Sequence, residues 1–304
     1  MKTRAPLAFF AAVVPLVHGA ACRPDFDERE SFVDRTMVIG VRIEPAEAKP
    51  GEAITASLLV ASPEGVVASP ATRFGFCTTP KLLTENGSVS AACQRGDVAP
   101  IGDALGTIGS VMPAEACFVF GPEVKAAELR PRDPDSTGGF FQPIRAEISG
   151  GVVAFGFARV KCNLANVSAD AATAFSAQYR LNVNPTLLPL EARVNGALVA
   201  LDAIPRGAEV AVRAAWRPED AEAYVALDPS TQLVVARRET MRVSWYATAG
   251  SFTSDRTGRG EAEPETFTDN TWTAPSEPRR AHLFAVLRDA RGGTAFATIS
   301  VDVR

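Results

Sequence analysis

The chain has 304 residues, with 31 Lys and Arg against 35 Asp and Glu, for a formal net charge of −4. That acidic balance, with no basic run that could track phosphates, argues against nucleic acid as a partner. A hydrophobic share of 46 % supplies real cores and excludes wholesale disorder, while only two histidines leave little room for His-based zinc sites or a Ser-His-Asp triad.

At the N-terminus, Met1-Lys2-Thr3-Arg4 is basic, Ala5 to Val17 is almost wholly apolar, and small residues lead to Cys22. Basic, then apolar, then small is the order of a secretory signal peptide, here residues 1–21. The apolar run is interrupted by Pro15 and falls short of the roughly 20 residues that a membrane-spanning helix needs. His18 lies within this leader, so His282 alone would remain in the mature chain. Ala20-Ala21-Cys22 resembles a bacterial lipobox, with Gly19 where Leu usually stands. The resemblance implies lipidation of Cys22 and a membrane partner reached through an N-terminal lipid anchor. Cysteine parity agrees, because the five cysteines are Cys22, Cys77, Cys93, Cys117 and Cys162, and an exported protein tends to pair them. Cys22 is the odd one, placed before a charged segment, 22–35, that reads as a flexible tether. A soluble secreted protein with one unpaired cysteine is the alternative. Either way the protein is exported, to the outer membrane, periplasm or cell surface of a Gram-negative bacterium. Asp25-Phe26-Asp27-Glu28-Arg29-Glu30 within the tether could ligate calcium, but it lacks the Gly turn and spacing of a calcium loop and reads as solvated.

From Thr36 the pattern is strand-like. Met37, Ile39, Val41 and Ile43 alternate, the Lys49-Pro50-Gly51-Glu52 turn follows, and Ile54–Val60 alternates next. This opening resembles the first two strands of bacterial immunoglobulin-like domains. Arg73–Cys77 reads as a third strand. Thr78 to Ala116 then reads as a long loop with Pro and Gly between short apolar pieces, which in a compact domain should be functional or crosslinked. A second loop, Gly121 to Pro143, contains Arg130, Arg132, Asp133, Asp135, Phe140 and Phe141. As a binding loop, its aspartates would reach a cation or sugar and its Phe pair would stack. As a set of turns, the Phe pair would only anchor it. Ile144–Ile148 and Val152–Val160 flank Gly150-Gly151 as a hairpin.

Four cysteines remain once Cys22 is set aside, and they allow three pairings. Cys77–Cys93 would close a local loop and Cys117–Cys162 would tie an edge to a neighbouring strand, though sequence does not prove this choice. With no CxxC pair, no metal site and no cofactor is expected. Asn166–Tyr179 is the clearest helix, capped by Ser168, with Val167, Ala171, Phe175 and Tyr179 on one stripe.

Asn184-Pro185 opens a boundary. Residues 36–185 read as an N-terminal β-sandwich-like domain with disulfide-braced loops and a helix near 166–180, and residues 186–304 as a C-terminal domain. In the latter, Leu187–Val194 and Ala197–Leu201 flank an Asn195-Gly196 turn, Val210–Trp216 alternates, and Glu219–Val225 reads as a helical turn towards Leu233–Ala236. Met241–Phe252 with Trp245, then Asn270-Thr271-Trp272-Thr273-Ala274-Pro275, then Ala281–Arg288, the Asp289-Ala290-Arg291-Gly292-Gly293 turn and Thr294–Arg304, resembles a PKD-type or bacterial immunoglobulin-like sandwich. The resemblance implies that Trp245 packs the core and that the fold is mainly β, with two immunoglobulin-like sandwiches. The Cys77-Thr78-Thr79-Pro80 and Cys162-Asn163-Leu164-Ala165 segments, taken with this tail, are similar to surface lipoproteins of myxobacteria, a resemblance that brings location and architecture but no activity.

No constellation here specifies a reaction. The leading expectation is a non-catalytic cell-envelope lipoprotein acting in structure, adhesion or binding of an envelope protein or polysaccharide. The alternative is a carboxylate-dependent glycoside hydrolase or carbohydrate-binding accessory protein, with Asp133 and Asp135, or Glu261, Glu263 and Glu265, as available carboxylates. A third reading is calcium-stabilised adhesion. His282, inside the Ala281–Leu287 strand, reads as an ordinary strand residue.

Overall fold

The computed structural model describes residues 31–122 and 136–304. In the first sandwich, Met37–Glu44 pairs antiparallel with Ala53–Ser62, which also carries Gly65–Val66 and Thr107–Val111. The facing sheet runs Glu47–Ala48, Val152–Lys161, Gly139–Ile148, Ala71–Cys77, Val98–Leu105. Because side chains alternate along a strand, Ile43, Ile54 and Ala56 of one sheet meet Phe74, Phe76, Ile144, Ala146, Ala158 and Val160 of the other. Gly150 and Gly151 both take the left-handed backbone that the expected hairpin turn needs.

Two expected loops are partly regular. Thr78 to Ala116 contains a short helix, Ala91–Arg95, and the strands Val98–Leu105 and Thr107–Val111. These strands have few buried side chains, and Pro100 and Gly102 interrupt them, so no apolar alternation marks them. The pairing of Val98–Leu105 with Ala71–Cys77 also breaks register between Phe74 and Gly75. At the other expected loop, Gly139-Phe140-Phe141 opens the Gly139–Ile148 strand, and Phe140 is 1 % exposed within the first core. Phe140 therefore does not offer a stacking surface.

Disulfides join Cys77 to Cys93 and Cys117 to Cys162. The first fastens the Ala91–Arg95 helix to a strand, and the second fastens the Ala116–Phe120 helix to the end of Val152–Lys161. The expected later helix spans Ala169–Gln178, the Ser168 hydroxyl accepting from the Ala171 N–H and Phe175 buried.

The second sandwich stacks a sheet ordered Ala197–Leu198, Glu191–Val194, Glu209–Ala215, Phe267–Thr273, Ser251–Phe252 on one ordered Arg256–Arg259, Met241–Ala247, Arg279–Arg288, Thr294–Val303. Trp216, Trp245 and Trp272 are all buried in its core, so Trp245 shares the expected role with two others. Trp245 donates to Thr257 Oγ1 at 2.8 Å and Trp272 to the Ala249 carbonyl at 3.0 Å, which satisfies the indole N–H that burial would otherwise strand. The expected helical turn at Glu219–Val225 is only a 3₁₀ turn, Pro218–Asp220, followed by the strand Ala223–Asp228 paired with Leu233–Arg238.

A third apolar cluster joins the sandwiches. Val33, Ile39, Leu59 and Ala61 pack against Phe284 and Val286, with Tyr246 and Phe296 beside them. A bulge between Val38 and Gly40 gives Ile39 no partner in the ladder and lets it join this seam. Gly40 lies against the Phe296 ring, where a Cβ would clash. Residues 31–33, expected within the tether, are docked. Val33 donates to the Ala247 carbonyl and Ala247 to the Ser31 carbonyl, each at 2.9 Å.

In the chain-entropy model, the bridges with sequence separations of 16 and 45 contribute about 3 and about 4 kcal/mol respectively. Reduction is therefore expected to lower the denaturation midpoint of the first sandwich, the Cys117→Ser/Cys162→Ser variant losing more than Cys77→Ser/Cys93→Ser. Equal midpoints with and without reductant would refute this.

Candidate functional site at the junction of the sandwiches

Among the described residues, the buried charges Glu47, Arg159, Glu239, Asp289 and Arg291 converge, with the partly buried Glu222, where the 179–184 connection passes between the sandwiches. From the first sandwich come Glu47, on a two-residue strand, and Arg159, within Val152–Lys161. From the second come Glu222, Glu239, Asp289 and Arg291. A carboxylate or guanidinium is stable there only when its hydrogen-bonding capacity is met.

Glu47 accepts from the Tyr179 hydroxyl and, at 2.8 Å, from the Asn182 N–H, and Arg159 Nε lies 3.4 Å from it. Arg159 also donates to Thr137 Oγ1 at 2.6 Å, and its guanidinium occupies the space over Gly139 that a Cβ would fill. Around the second arginine, Arg291 donates to Glu239, to Glu222 and, at 2.9 Å, to the Arg180 carbonyl, with its plane 4.7 Å from the Tyr224 ring. Glu239 takes the Ala290 N–H at 2.8 Å with its other oxygen. Asp289 accepts from the N–H groups of Arg291 and Gly293 and from the Asn182 amide. Asn184 completes the clasp: its amide donates to the Ile43 carbonyl at 2.7 Å and its oxygen accepts from the Thr294 N–H at 2.8 Å.

Two carboxyls, Glu222 and Glu239, therefore share one guanidinium, with Asp289 beside them on the Arg291 backbone N–H. Burial first, then repulsion from Asp289, pushes Glu239 up to about 7, against the pull of Arg291. Burial also raises Asp289 and Glu222. Tyr179 is raised by burial and by the Glu47 charge, so it stays a hydrogen-bond donor. With its charged groups paired and the buried Asn182 Oδ1 left without a hydrogen bond, this cluster acts as a fastening between the sandwiches.

The expected site residues are scattered. Cys22, Arg130, Arg132, Asp133 and Asp135 lie outside the described residues, as do the 25–30 acidic cluster and His18. Phe140 is core, whereas Phe141 faces the junction, edge-on to Phe157 at 6.4 Å and against Gly292. Glu261 pairs with Arg237, and Glu263 with Arg259. The His282 ring meets Ser300 at 2.9 Å and packs on Gly65 of the first sandwich. An open cavity of about 560 Å³ lies at one end of the first sandwich and holds Asp103 and Glu147. Both are ion-paired there, Asp103 with Arg73 and Glu147 with Arg145, and the Arg145 hydrogen bond holds Glu147 below the usual carboxylate range. Among the described residues, no group of three or more His, Cys, Asp or Glu side chains could hold a metal ion. Sequence reasoning missed Glu47, Glu222, Glu239, Asp289 and Arg291 as a group, since each reads as an ordinary surface charge. Only the Asp-x-Arg-Gly-Gly turn carried a local signal.

No protein-family model matches the chain, and no curated protein matches it. Solved structures similar to it include the D00–D0 domain of intimin (TM-score 0.26, 8 % identity, 87 % of this chain and all of that one). They also include the Yersinia pseudotuberculosis adhesin InvE (0.24, 9 %, 87 % of this chain and 58 % of that one). A third is the C-terminal domain of the Streptococcus pyogenes antigen I/II-family protein AspA (0.22, 7 %, 90 % and 99 %). Scores this low assign neither a family nor a role.

A carboxyl whose folded pKa is raised from 4.5 to about 7 favours folding fully below the lower value, and that contribution is lost as pH climbs through the higher one. The melting temperature is thus expected to fall between about pH 5 and about pH 8, and Glu239→Gln to flatten the slope. A slope unchanged by this substitution would rule the mechanism out. Arg291→Met, which strands the carboxyls, is expected to cost about 3–5 kcal/mol in denaturant unfolding.

Proposed function

We propose that the chain is an exported, non-catalytic module of the cell envelope, anchored through Cys22, that holds two β-sandwiches in fixed relation to present a surface to an envelope protein or polysaccharide. The observation that carries this reading is the assignment of buried charge: among the described residues the three buried carboxyls are Glu47, Glu239 and Asp289, of which Glu47 and Asp289 hold Asn182 of the connection between the sandwiches and Glu239 holds the Arg291 that bonds the same connection. Two disulfides support an oxidising compartment. A carboxylate-dependent glycoside hydrolase is less well supported. It needs a general acid with a raised pKa facing a cleft, and the cavity carboxylate Glu147 is shifted the other way.

In cells fed labelled palmitate, the full-length chain is expected to take up label and Cys22→Ser to lose it. Unlabelled wild type would remove the anchor. The chain without residues 1–22 is expected to bind washed envelopes saturably and to release no reducing sugar from their polysaccharide. Sugar release abolished by Glu147→Gln would reverse the choice of reading.

A further inference from the structure

A second feature of the junction has a different chemistry from the ionic fastening. At the exposed edge of the Val152–Lys161 strand, beyond its short pairing with Glu47–Ala48, a cleft of about 280 Å³ opens between the sandwiches. Val41, Phe141, Phe155 and Phe157 of the first sandwich form one wall, and Arg288, Gly292 and Thr294 of the second form the other. Gly292 has φ +97°, and a Cβ there would lie 3.0 Å from the Phe141 ring, so the bare backbone keeps this end open. The size suits a small organic molecule at the lower end of the range for ligand pockets.

Three aromatic rings alone would make an apolar groove with no stated occupant. The charge on the opposite wall supplies one. Arg288 is half-buried, and its side chain makes no hydrogen bond or salt bridge among the described residues. Arg242, directly opposite it on the neighbouring strand, has no acidic partner among them either. On the same strand Arg280 is neutralised by Asp302. Two like charges opposite each other on adjacent strands oppose folding, and a bound anion relieves the part of that repulsion which solvent and salt do not screen. Burial lowers the proton affinity of Arg288 from its ordinary value, Tyr246 opposing and Arg256 adding to the effect.

We propose that this cleft binds a small amphiphilic anion, its carboxylate, phosphate or sulfonate head held by Arg288, with Arg242 on the neighbouring strand adding attraction from outside the lining, and its aromatic or short aliphatic body against Phe141, Phe155 and Phe157. Guanidinium groups suit such heads because their planar fork donates two parallel hydrogen bonds. The site does not depend on lipidation of Cys22 or on an envelope partner. Since both sandwiches contribute walls, occupancy also raises the stability of their junction.

The test uses the mature chain and the fluorescent aromatic sulfonate 8-anilinonaphthalene-1-sulfonate. Saturable binding at one site is expected, displaced by octanoate and octyl phosphate below their micelle concentrations but not by octylamine. Arg288→Gln and Phe157→Ala should each weaken it at least about tenfold, and the exposed Arg242→Gln by less, with Arg73→Gln at the distant cavity unchanged. Arg242→Gln keeps the test informative should Arg288→Gln misfold, as would a binding constant that weakens with added salt. Sedimentation with phosphatidylglycerol vesicles, lost in Arg288→Gln, would identify the same head group presented by a lipid, whereas displacement by octanoate alone identifies a free anion. Equal displacement by octylamine, or undiminished binding in a folded Arg288→Gln protein, would overturn the proposal.

Discussion

The structure depends on one buried guanidinium. Arg291 sits where the connecting segment crosses between the sandwiches, and it binds side chains of the second sandwich and a carbonyl of the connection at once. The apolar seam of Ile39, Leu59, Phe284 and Val286 brings the two units together, but hydrophobic contact has no direction and tolerates sliding. Hydrogen bonds to a buried charge do not, because a shift of an ångström or two leaves the charge in a poor dielectric with nothing to offset it. Alternate residues of the connection are claimed from either side: Tyr179 by Glu47, Arg180 by Arg291, Asn182 by both Glu47 and Asp289, Asn184 by Ile43 and Thr294. Relative orientation is set by these bonds.

The fold was legible wherever its cause was local. Alternation around Gly150-Gly151, the Ser168 cap and the Trp245 strand all follow from a few consecutive residues, and the structure has them at those places. Val98–Val111 was not legible, because an exposed strand rich in Gly and Ala has no apolar face to betray it. Glu219–Val225 read as a helical turn because the strand character of its end, within Ala223–Asp228, comes from pairing with Leu233–Arg238. The ionic cluster was hidden for a stronger reason. Glu47 and Asn182 are 135 residues apart, Glu239 and Arg291 are 52 apart, and nothing beside any of them marks it as buried. Of the expected binding loop, the part described here divides between core and junction, since adjacent residues of a strand face opposite ways and Phe140 and Phe141 are adjacent.

Charge is sorted by site. Acids with raised proton affinity are sealed between the sandwiches, whereas Glu147 in the open cavity is held ionised by Arg145. Arginine without acid occurs beside an aromatic wall. The first arrangement fixes geometry, the second keeps a surface soluble, and the third leaves a positive potential to be met from outside.

The docking of residues 31–33 has a mechanical consequence. Phe32 runs parallel to Ala247, and the hydrogen bonds of Ser31 and Val33 to Ala247 fasten the start of the described chain to the unit that folds last in sequence. Tension applied upstream of Ser31 is thus delivered to the second sandwich before the first. A pull along the strand axis loads both bonds together in shear instead of peeling them one by one. The first sandwich, held at 31–33 and again at 179–184, is shielded from load until one of those fastenings gives way.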